Sequence, residues 1–201
     1  MTVRLLIATT NRNKIREIRS LLVGVPVDVI TMGEIASAAE PEETGVTFEE
    51  NARLKARYYA KHSGSVTVAE DSGLVIDALD GEPGVKSARF LRPDASYPER
   101  FAAIFERLAR HPERPRTARF VCALCVVDGN TIAFETTATV EGLIAAAPAG
   151  DHGFGYDPIF YYPPYGATLA EVAEEAKLAV AHRGKAFRKL AGWIHEVESR
   201  R

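Results

Sequence analysis

The sequence predicts a mixed α/β fold, in which a mixed sheet is flanked by helices. Helical and strand patterns intermix along the 201 residues without strict alternation. Two long strand patterns, at about 118–127 and 131–141, flank an Asp-Gly-Asn turn at 128–130 and predict a hairpin. A doubly wound parallel sheet would require regular strand–helix alternation instead. Because no long linker or internal repeat is present, we expect a single domain over residues 1–201.

The N-terminal third contains strand and helix patterns around one clear helix start. Residues 3–9 and 27–30 are predicted as short strands, and 36–46 as a loop because they lack periodicity. Between the two strands, apolar residues recur at helical spacing: Ile15, Ile18, Leu21 and Leu22. Thr47 with Glu50 three residues later forms a capping box, which predicts a helix that ends near residue 61.

The remainder of the chain is predicted from turns and helix starts. Residues 66–69 form a strand pattern that leads into an acidic turn. Pro98 stands at a first-turn position, which predicts a helix through about residue 108. Thr168 and Glu171 form a second capping box, which predicts a helix to about residue 179. A last helix is predicted over about 185–197.

Composition excludes several classes of protein. The formal net charge is −2, which argues against a broad basic surface for nucleic acid. No stretch approaches the roughly 18–20 apolar residues of a membrane helix. The N-terminus lacks a signal-peptide cleavage pattern, so we expect a cytoplasmic protein without a membrane partner. The two cysteines, Cys122 and Cys125, lie on a strand pattern, where side chains three apart face opposite ways; burial is expected rather than metal binding.

A polar loop before the first helix is a candidate anion site. It comprises Thr9, Thr10, Asn11, Arg12, Asn13 and Lys14. Hydroxyls, amides, a lysine and helix N-terminal N–H groups converge there, which suits a phosphate. The loop lacks the glycines and the Gly-Lys-Ser/Thr ending of a Walker A loop. An ordinary helix cap with a solvated lysine is the alternative.

Two acidic segments are candidates for metal binding and proton transfer. Glu70 and Asp71 follow a strand, in a turn that Gly73 would permit. Carboxylates at such a place can hold Mg²⁺, and one of them can accept a proton from water. A carboxylate from the loop around Glu42 and Glu43 could complete the metal site. The alternatives are a plain polar turn and a solvated acidic loop.

The C-terminal half offers a candidate site for a planar ligand. Phe154 lies between Gly153 and Gly155, so its ring can lie flat against a base, and Asp157 adds a hydrogen-bond acceptor. The alternative is a tight loop with a buried phenylalanine. Nearby groups suited to a polyphosphate or an oxygen-rich base edge are Lys177, His182, Arg183 and Lys185. They could equally form a solvated linker between helices.

The order of these motifs is more specific than any one of them. Thr-x-Asn-x-x-Lys precedes Glu-Glu-Thr-Gly-Val-Thr-Phe-Glu-Glu-Asn-Ala, then Asp-Ser-Gly-Leu, Gly-Phe-Gly-Tyr-Asp-Pro-Ile-Phe and His-Arg-Gly-Lys-Ala. Over about residues 6–190 this resembles the inosine triphosphate pyrophosphatase family, also called Ham1-like. The resemblance implies Mg²⁺-dependent hydrolysis of the purine nucleotides ITP, dITP and XTP to the monophosphate and pyrophosphate. It also implies an elongated mixed sheet in two lobes around a central cleft, and usually a homodimer.

Position by position, the resemblance assigns roles to residues. Residues 9–14 and Lys55 would bind phosphates, Glu42 and Asp71 would hold Mg²⁺, and Asp71 would accept the proton. Substrate contacts are implied for Ser72, Phe154, Gly155, Tyr156, Asp157, Lys177, His182 and Arg183. The chain departs from the family pattern at Thr10, Asn13, Glu70 and Ala181. Two alternatives stay open: a Maf-type pyrophosphatase of modified pyrimidine triphosphates, and a non-catalytic nucleotide-binding protein.

Overall fold

A computed structural model describes residues 3–35 and 39–200. In these ranges the strands are β1 (Val3–Ile7), β2 (Val27–Thr31), β3 (Val66–Ile76), β4 (Thr117–Asp128), β5 (Thr131–Ile144), β6 (Phe160–Tyr162) and β7 (Ala167–Thr168). The helices are α1 (Arg12–Leu21), α2 (Phe48–Ser63), α3 (Tyr97–Ala109), α4 (Glu174–Val180) and α5 (His182–Ser199).

The described strands form one mixed sheet with the order β2-β1-β3-β4-β5-β6-β7. Strand β1 pairs in parallel with both β2 and β3, with Leu5 opposite Val29 on one side and Val66 on the other. Strand β6 pairs antiparallel with β5 and β7. The predicted hairpin is present as β4 and β5, joined by residues 129–130. The prediction of a mixed rather than a doubly wound sheet is therefore confirmed.

Contacts divide the chain into two compact units. Unit 1 comprises Met1–Asp71, Cys122–Ala138 and Arg183–Arg201, and unit 2 comprises Ser72–Val121 and Thr139–His182. Each unit has a hydrophobic core of its own. In unit 1 the core includes residues from β1, β4 and α5, and in unit 2 it includes residues from β3, α3 and β6. The single-domain assignment over 1–201 stays a prediction.

Local capping signals account for two helix starts. At the start of α2, the Thr47 side chain accepts a hydrogen bond from the Glu50 backbone, and the Glu50 carboxylate accepts from the Thr47 backbone. Gly64 ends the same helix in the left-handed region, where glycine carries no steric penalty. Ser96 and Glu99 form a further capping box at the start of α3, and Pro98 lies in its first turn as predicted.

Two sequence predictions about local structure are wrong. The predicted acidic turn is instead the middle of β3, which continues unbroken through Ser72. The Thr168–Glu171 motif does not open a helix, since Thr168 lies in β7 and its hydroxyl donates to the Ala149 carbonyl at 2.8 Å. Helix α4 begins later, at Glu174, and α5 begins at His182. Strands β6 and β7 are too short to produce a sequence pattern.

Other predictions concern the loop, the cysteines and membrane insertion. In the predicted loop 36–46, residues 36–38 lie outside the described residues, and 39–46 contain neither helix nor strand. Cys122 and Cys125 are buried free thiols in β4, as expected. Across 3–35 and 39–200, the helices lack the length and apolar character needed to traverse a bilayer.

Candidate active site

The two adjacent acids of β3 have different surroundings. Successive side chains of a strand point to opposite faces, so Glu70 and Asp71 cannot share one set of partners. Both are buried, with 4% and 6% of their surface exposed. Buried carboxylates require compensating charge or hydrogen bonds. The partners of each acid therefore determine whether its carboxylate anchors cations or can accept a proton.

Glu70 lies at the centre of a buried ion cluster in unit 1. The Arg183 guanidinium donates to both of its oxygens, at 2.8 to 3.1 Å, and Lys14 Nζ lies 3.0 Å from Oε1. Arg183 Nη1 also donates to Glu17 at 2.7 Å, and the Cys122 thiol donates to Glu70 at 3.2 Å. Burial raises the pKa of Glu70, but Arg183 and Lys14 outweigh it and hold that pKa well below its usual range. Glu70 is therefore an ionised anchor for two cations.

The predicted phosphate loop forms the N-terminus of α1. Asn11 is the helix cap, and its side-chain oxygen accepts hydrogen bonds from the backbone N–H groups of Asn13 and Lys14 at 3.0 and 3.2 Å. Thr9 Oγ1 accepts from the Asn11 backbone at 3.2 Å. Thr10 and Arg12 are exposed, and Lys14 is half-buried. A helix cap and a lysine directed at Glu70 are thus both present at this loop.

Asp71 contacts two side chains that lie one turn apart on α2. Asn51 Nδ2 donates to Oδ2 at 3.1 Å, and Lys55 Nζ lies 3.3 Å from Oδ1. The same ammonium also lies 2.6 Å from Glu43. Burial raises the pKa of Asp71 and Glu43 adds to it, against the opposing Lys55, so the net direction is upward. A carboxylate with a raised pKa is a stronger acceptor for a proton from water than an ordinary aspartate.

The acidic loop around Glu42 and Glu43 supplies two carboxylates that are candidate metal ligands. Glu43 contacts Lys55, whereas Glu42, the predicted metal ligand, is exposed. In the part of the chain that the structure describes, no group of three or more His, Cys, Asp and Glu side chains is arranged to hold a metal. Mg²⁺ commonly binds proteins through one or two carboxylates and completes its shell with water and substrate phosphates. The carboxylates of this loop and of Asp71 are oxygen donors of the kind that Mg²⁺ takes, and the described residues do not form a closed protein cage.

The aromatic loop of unit 2 is organised by a buried ion pair. Asp157 Oδ2 accepts from Lys177 Nζ at 2.6 Å and from the Phe154 backbone N–H at 2.8 Å. The Lys177 ammonium lies 4.9 Å from the centroid of the Phe154 ring, within cation–π distance. Gly153 has a φ of +71°, and a Cβ there would lie 2.2 Å from the Asp157 carboxylate. The loop therefore depends on glycine at this position.

Two of the remaining predicted substrate residues of unit 2, Tyr156 and His182, are buried. Tyr156 is buried, and its hydroxyl donates to the Ser87 carbonyl at 2.8 Å. The His182 ring stacks on Phe120 with a centroid distance of 4.9 Å. Ser72 is half-buried in β3, and Gly155 has a positive φ of 68°.

The predicted residues thus form two groups. Lys14 and Arg183 meet at Glu70, and Lys55 meets Asp71, all in unit 1. In unit 2, Phe154, Asp157 and Lys177 form the second group. Sequence reasoning missed Glu17 and Asn51, both buried polar residues inside helices. Two sequence signals could have found Asn51: it is the Asn of the Phe-Glu-Glu-Asn-Ala motif, and its spacing of four from Lys55 places both on one face of α2.

Comparison with known proteins identifies the family of this chain. The sequence model of the Ham1 family matches residues 5–193. A "dITP/XTP pyrophosphatase" of an Exiguobacterium species is 45% identical over 192 residues, covering 96% of this chain and 97% of the relative. One of Geobacter sulfurreducens is 44% identical over 195 residues, covering 94% and 97%.

Solved structures agree with the sequence comparison. A HAM1 protein from Coxiella burnetii has a TM-score of 0.91 at 37% identity, covering 97% of this chain and all 100% of its own. A "Nucleoside-triphosphatase / dITP/XTP pyrophosphatase" from Mycobacterium abscessus has a TM-score of 0.74 at 39% identity, covering 94% and 98%. The fold, the order of motifs and these relatives lead to one conclusion: the chain belongs to the Ham1 family.

Proposed function

We propose that this protein is a nucleoside triphosphate pyrophosphohydrolase that acts on the non-canonical purine nucleotides ITP, dITP and XTP. One water is consumed, the bond between the α and β phosphates breaks, and the products are the monophosphate and pyrophosphate. The observation that carries the proposal is the buried carboxylate of Asp71, which Asn51 and Lys55 hold between them in a member of the Ham1 family. The names of the relatives support the substrate class.

Asp71 is the proposed general base. Its burial raises the pKa of the carboxyl group, which suits proton transfer from an attacking water. The Lys55 ammonium lies 3.3 Å from Asp71 Oδ1 and opposes this rise in pKa. The water oxygen forms the new bond to phosphorus, its proton passes to Asp71, and pyrophosphate leaves.

The cations of unit 1 provide electrostatic stabilisation. Lys14 and Lys55 are the proposed phosphate contacts, together with the polar groups of residues 9–14. Each ammonium group is held by a carboxylate: Lys14 Nζ lies 3.0 Å from Glu70, and Lys55 Nζ lies 2.6 Å from Glu43. This arrangement orients each lysine before substrate binds. Arg183 is better suited to anchoring Glu70 than to contacting the substrate, because three of its nitrogens already donate to carboxylates.

Mg²⁺ is the proposed cofactor. Asp71 and the exposed carboxylate of Glu42 would hold it, as the resemblance implies. When bound, the ion would neutralise phosphate charge and favour attack by water. Mg²⁺ commonly takes one or two carboxylates from a protein and completes its shell with water and phosphate, so these two would suffice.

Base recognition is assigned to unit 2. Phe154 would stack on the purine, with Asp157 and Lys177 keeping the loop in place. His182 is the proposed donor to the oxo group that inosine and xanthine carry where adenine carries an amino group. A buried donor left unpaired by adenine can discriminate by roughly 10⁴.

Pyrophosphate release from ITP, XTP, dITP, ATP and GTP, with and without Mg²⁺, tests the proposal. We expect Mg²⁺-dependent release from the first three and little from ATP, which has an amino group in place of the oxo group. GTP keeps the oxo group, so its rate shows whether recognition extends beyond that position. A modified pyrimidine triphosphate is added to the panel, and preferential release from it would indicate the Maf-type activity instead. Tight ITP binding without pyrophosphate release would indicate a non-catalytic protein.

Assembly and location remain predictions. The resemblance implies a homodimer, which sedimentation equilibrium of the purified protein would test. The cytoplasmic location expected from the N-terminal sequence would be tested by cell fractionation.

A further inference from the structure

Asn51 connects two parts of unit 1, the acidic loop at Gly45 and the carboxylate of Asp71. Its side chain is fully buried, at 0% exposure, and both ends of the amide are used. Nδ2 donates to Asp71 Oδ2 at 3.1 Å, and Oδ1 accepts from the Gly45 backbone N–H at 2.8 Å. A backbone N–H can only donate, so this bond fixes which end of the amide faces the carboxylate. The orientation of Asn51 therefore follows from the backbone.

Gly45 permits the close approach on which this arrangement depends. A Cβ at this position would lie 2.6 Å from Asn51 Oδ1 and 2.8 Å from Glu50 Cβ. Both distances are shorter than any normal contact, so a larger residue would push the loop away from α2. Glu43, two residues earlier, is held to the same helix by Lys55 at 2.6 Å. The acidic loop is therefore attached to α2 through both Gly45 and Glu43.

The two side chains that hold the loop, Asn51 and Lys55, also contact the carboxylate of Asp71, each at a different oxygen. Asn51 and Lys55 are four residues apart, so their side chains emerge on one face of α2. Asn51 contacts Oδ2, and Lys55 contacts Oδ1. With one donor on each oxygen, rotation of the carboxylate about its Cβ–Cγ bond is restricted.

We propose that Asn51 is a positioning residue, which joins the acidic loop at Gly45 to Asp71 and holds the carboxylate in one orientation. This role rests on the proposed function, in which Asp71 accepts a proton from water. Asn51 does not contact the reacting atoms and acts through Asp71. A misplaced base leaves substrate binding nearly intact but slows the chemical step, and an error of about 1 Å can cost roughly 10²-fold in rate.

Two substitutions break the connection from opposite ends. Asn51→Asp keeps the shape but replaces the donor facing Asp71 with an acceptor, so the two oxygens repel. Gly45→Ala leaves Asn51 and Asp71 unchanged but displaces the loop. We expect each to lower kcat for ITP by roughly 10- to 100-fold and to change KM by less than about threefold. The double variant should lose little more than either single variant, because both disrupt one connection.

Asn130→Asp is the matched control. It makes the same chemical change at an exposed position in the β4–β5 turn, which belongs neither to the acidic loop nor to α2. Its kcat should stay within twofold of wild type, and circular dichroism should show all variants folded. If Asn51→Asp fails to fold, Gly45→Ala alone decides. A kcat within twofold of wild type, or a raised KM with unchanged kcat, for a folded Asn51→Asp or Gly45→Ala would overturn the role.

A measurement without turnover separates this role from the proposed function. The Asn51 side-chain amide signals, assigned by their loss in Asn51→Asp, should shift in the ¹H–¹⁵N spectrum of Asp71→Asn. Unchanged amide signals would show that the connection is absent in solution, and would overturn the role. Wild-type protein that releases no pyrophosphate from ITP would overturn the proposed function, and this role with it, even if the amide signals shift.

Discussion

Replacing Arg183 with methionine tests whether this residue anchors the interior of unit 1 or contacts the substrate. The arginine side chain is 3% exposed, and its carboxylate partners are also buried. Methionine keeps much of the length and removes the charge. Glu70 would keep Lys14 at 3.0 Å, but Glu17 would lose the cation that lies 2.7 Å from it.

The magnitude follows from the burial of the cluster. Removing one partner of a buried ion pair leaves an uncompensated charge and costs about 3–5 kcal/mol. In a chain of this size, each kcal/mol lowers the Tm by about 2–4 °C. We therefore expect Arg183→Met to lower the Tm by roughly 6–20 °C. Adding Glu17→Gln removes the stranded carboxylate, so the double variant should be more stable than Arg183→Met alone.

Calorimetric unfolding at neutral pH is the assay, and the C-terminal end of the chain supplies the control. Arg200 forms an exposed ion pair with Glu196 at 3.7 Å. Exposed pairs contribute about 0–1 kcal/mol, so Arg200→Met should change the Tm by less than about 4 °C. An unchanged Tm for Arg183→Met together with a raised KM for ITP would refute the reasoning and make Arg183 a substrate contact.

Four further predictions concern the two groups of site residues. Asp71→Asn should keep its circular dichroism spectrum and lose roughly 10²–10⁴ in the rate of pyrophosphate release; near wild-type turnover would exclude Asp71 as the base. The folded-state pKa of Glu70 lies well below its ordinary value of 4.5, so its stabilisation is complete above that pH and is lost as the pH falls toward the folded-state value. The Tm of wild type should thus fall more steeply with acid than that of Glu70→Gln, and parallel curves would contradict this assignment. Phe154→Ala should raise KM for ITP about 5- to 150-fold, by loss of stacking worth about 1–3 kcal/mol, and an unchanged KM would exclude the stack. Gly153→Ala places a Cβ against Asp157 and should also raise KM, whereas a wild-type KM would show that the loop adapts.

Short-range features of the fold could be predicted from sequence because their causes are local. Thr47 and Glu50 cap α2 through bonds that span three residues, and within 3–35 and 39–200 neither side chain has a distant hydrogen-bond partner. The Thr168–Glu171 motif carried the same signal and failed. Its glutamate does accept from the Thr168 backbone, but the Thr168 hydroxyl donates to Ala149, 19 residues away. A distant acceptor thus overrode a local preference.

The acids of β3 illustrate the same limit at the candidate site. Adjacent carboxylates beside a serine and a glycine are typical of a turn, and the sequence alone favours a turn there. The structure instead continues the strand, because Arg183, 113 residues away, neutralises Glu70 inside the protein. The order of motifs nevertheless identified the family, because that order does not depend on whether each motif forms a turn or a strand.

The sequence by itself therefore determined the mixed α/β class, the starts of α2 and α3 and the membership of the Ham1 family. Only the tertiary structure decided the partners: Asn51 and Lys55 on Asp71, and Lys14 and Arg183 on Glu70. The physical reason is the range of the interactions. Caps and periodicity act over three or four residues and leave a pattern in the chain, whereas buried ion pairs join residues whose separation in sequence carries no signal.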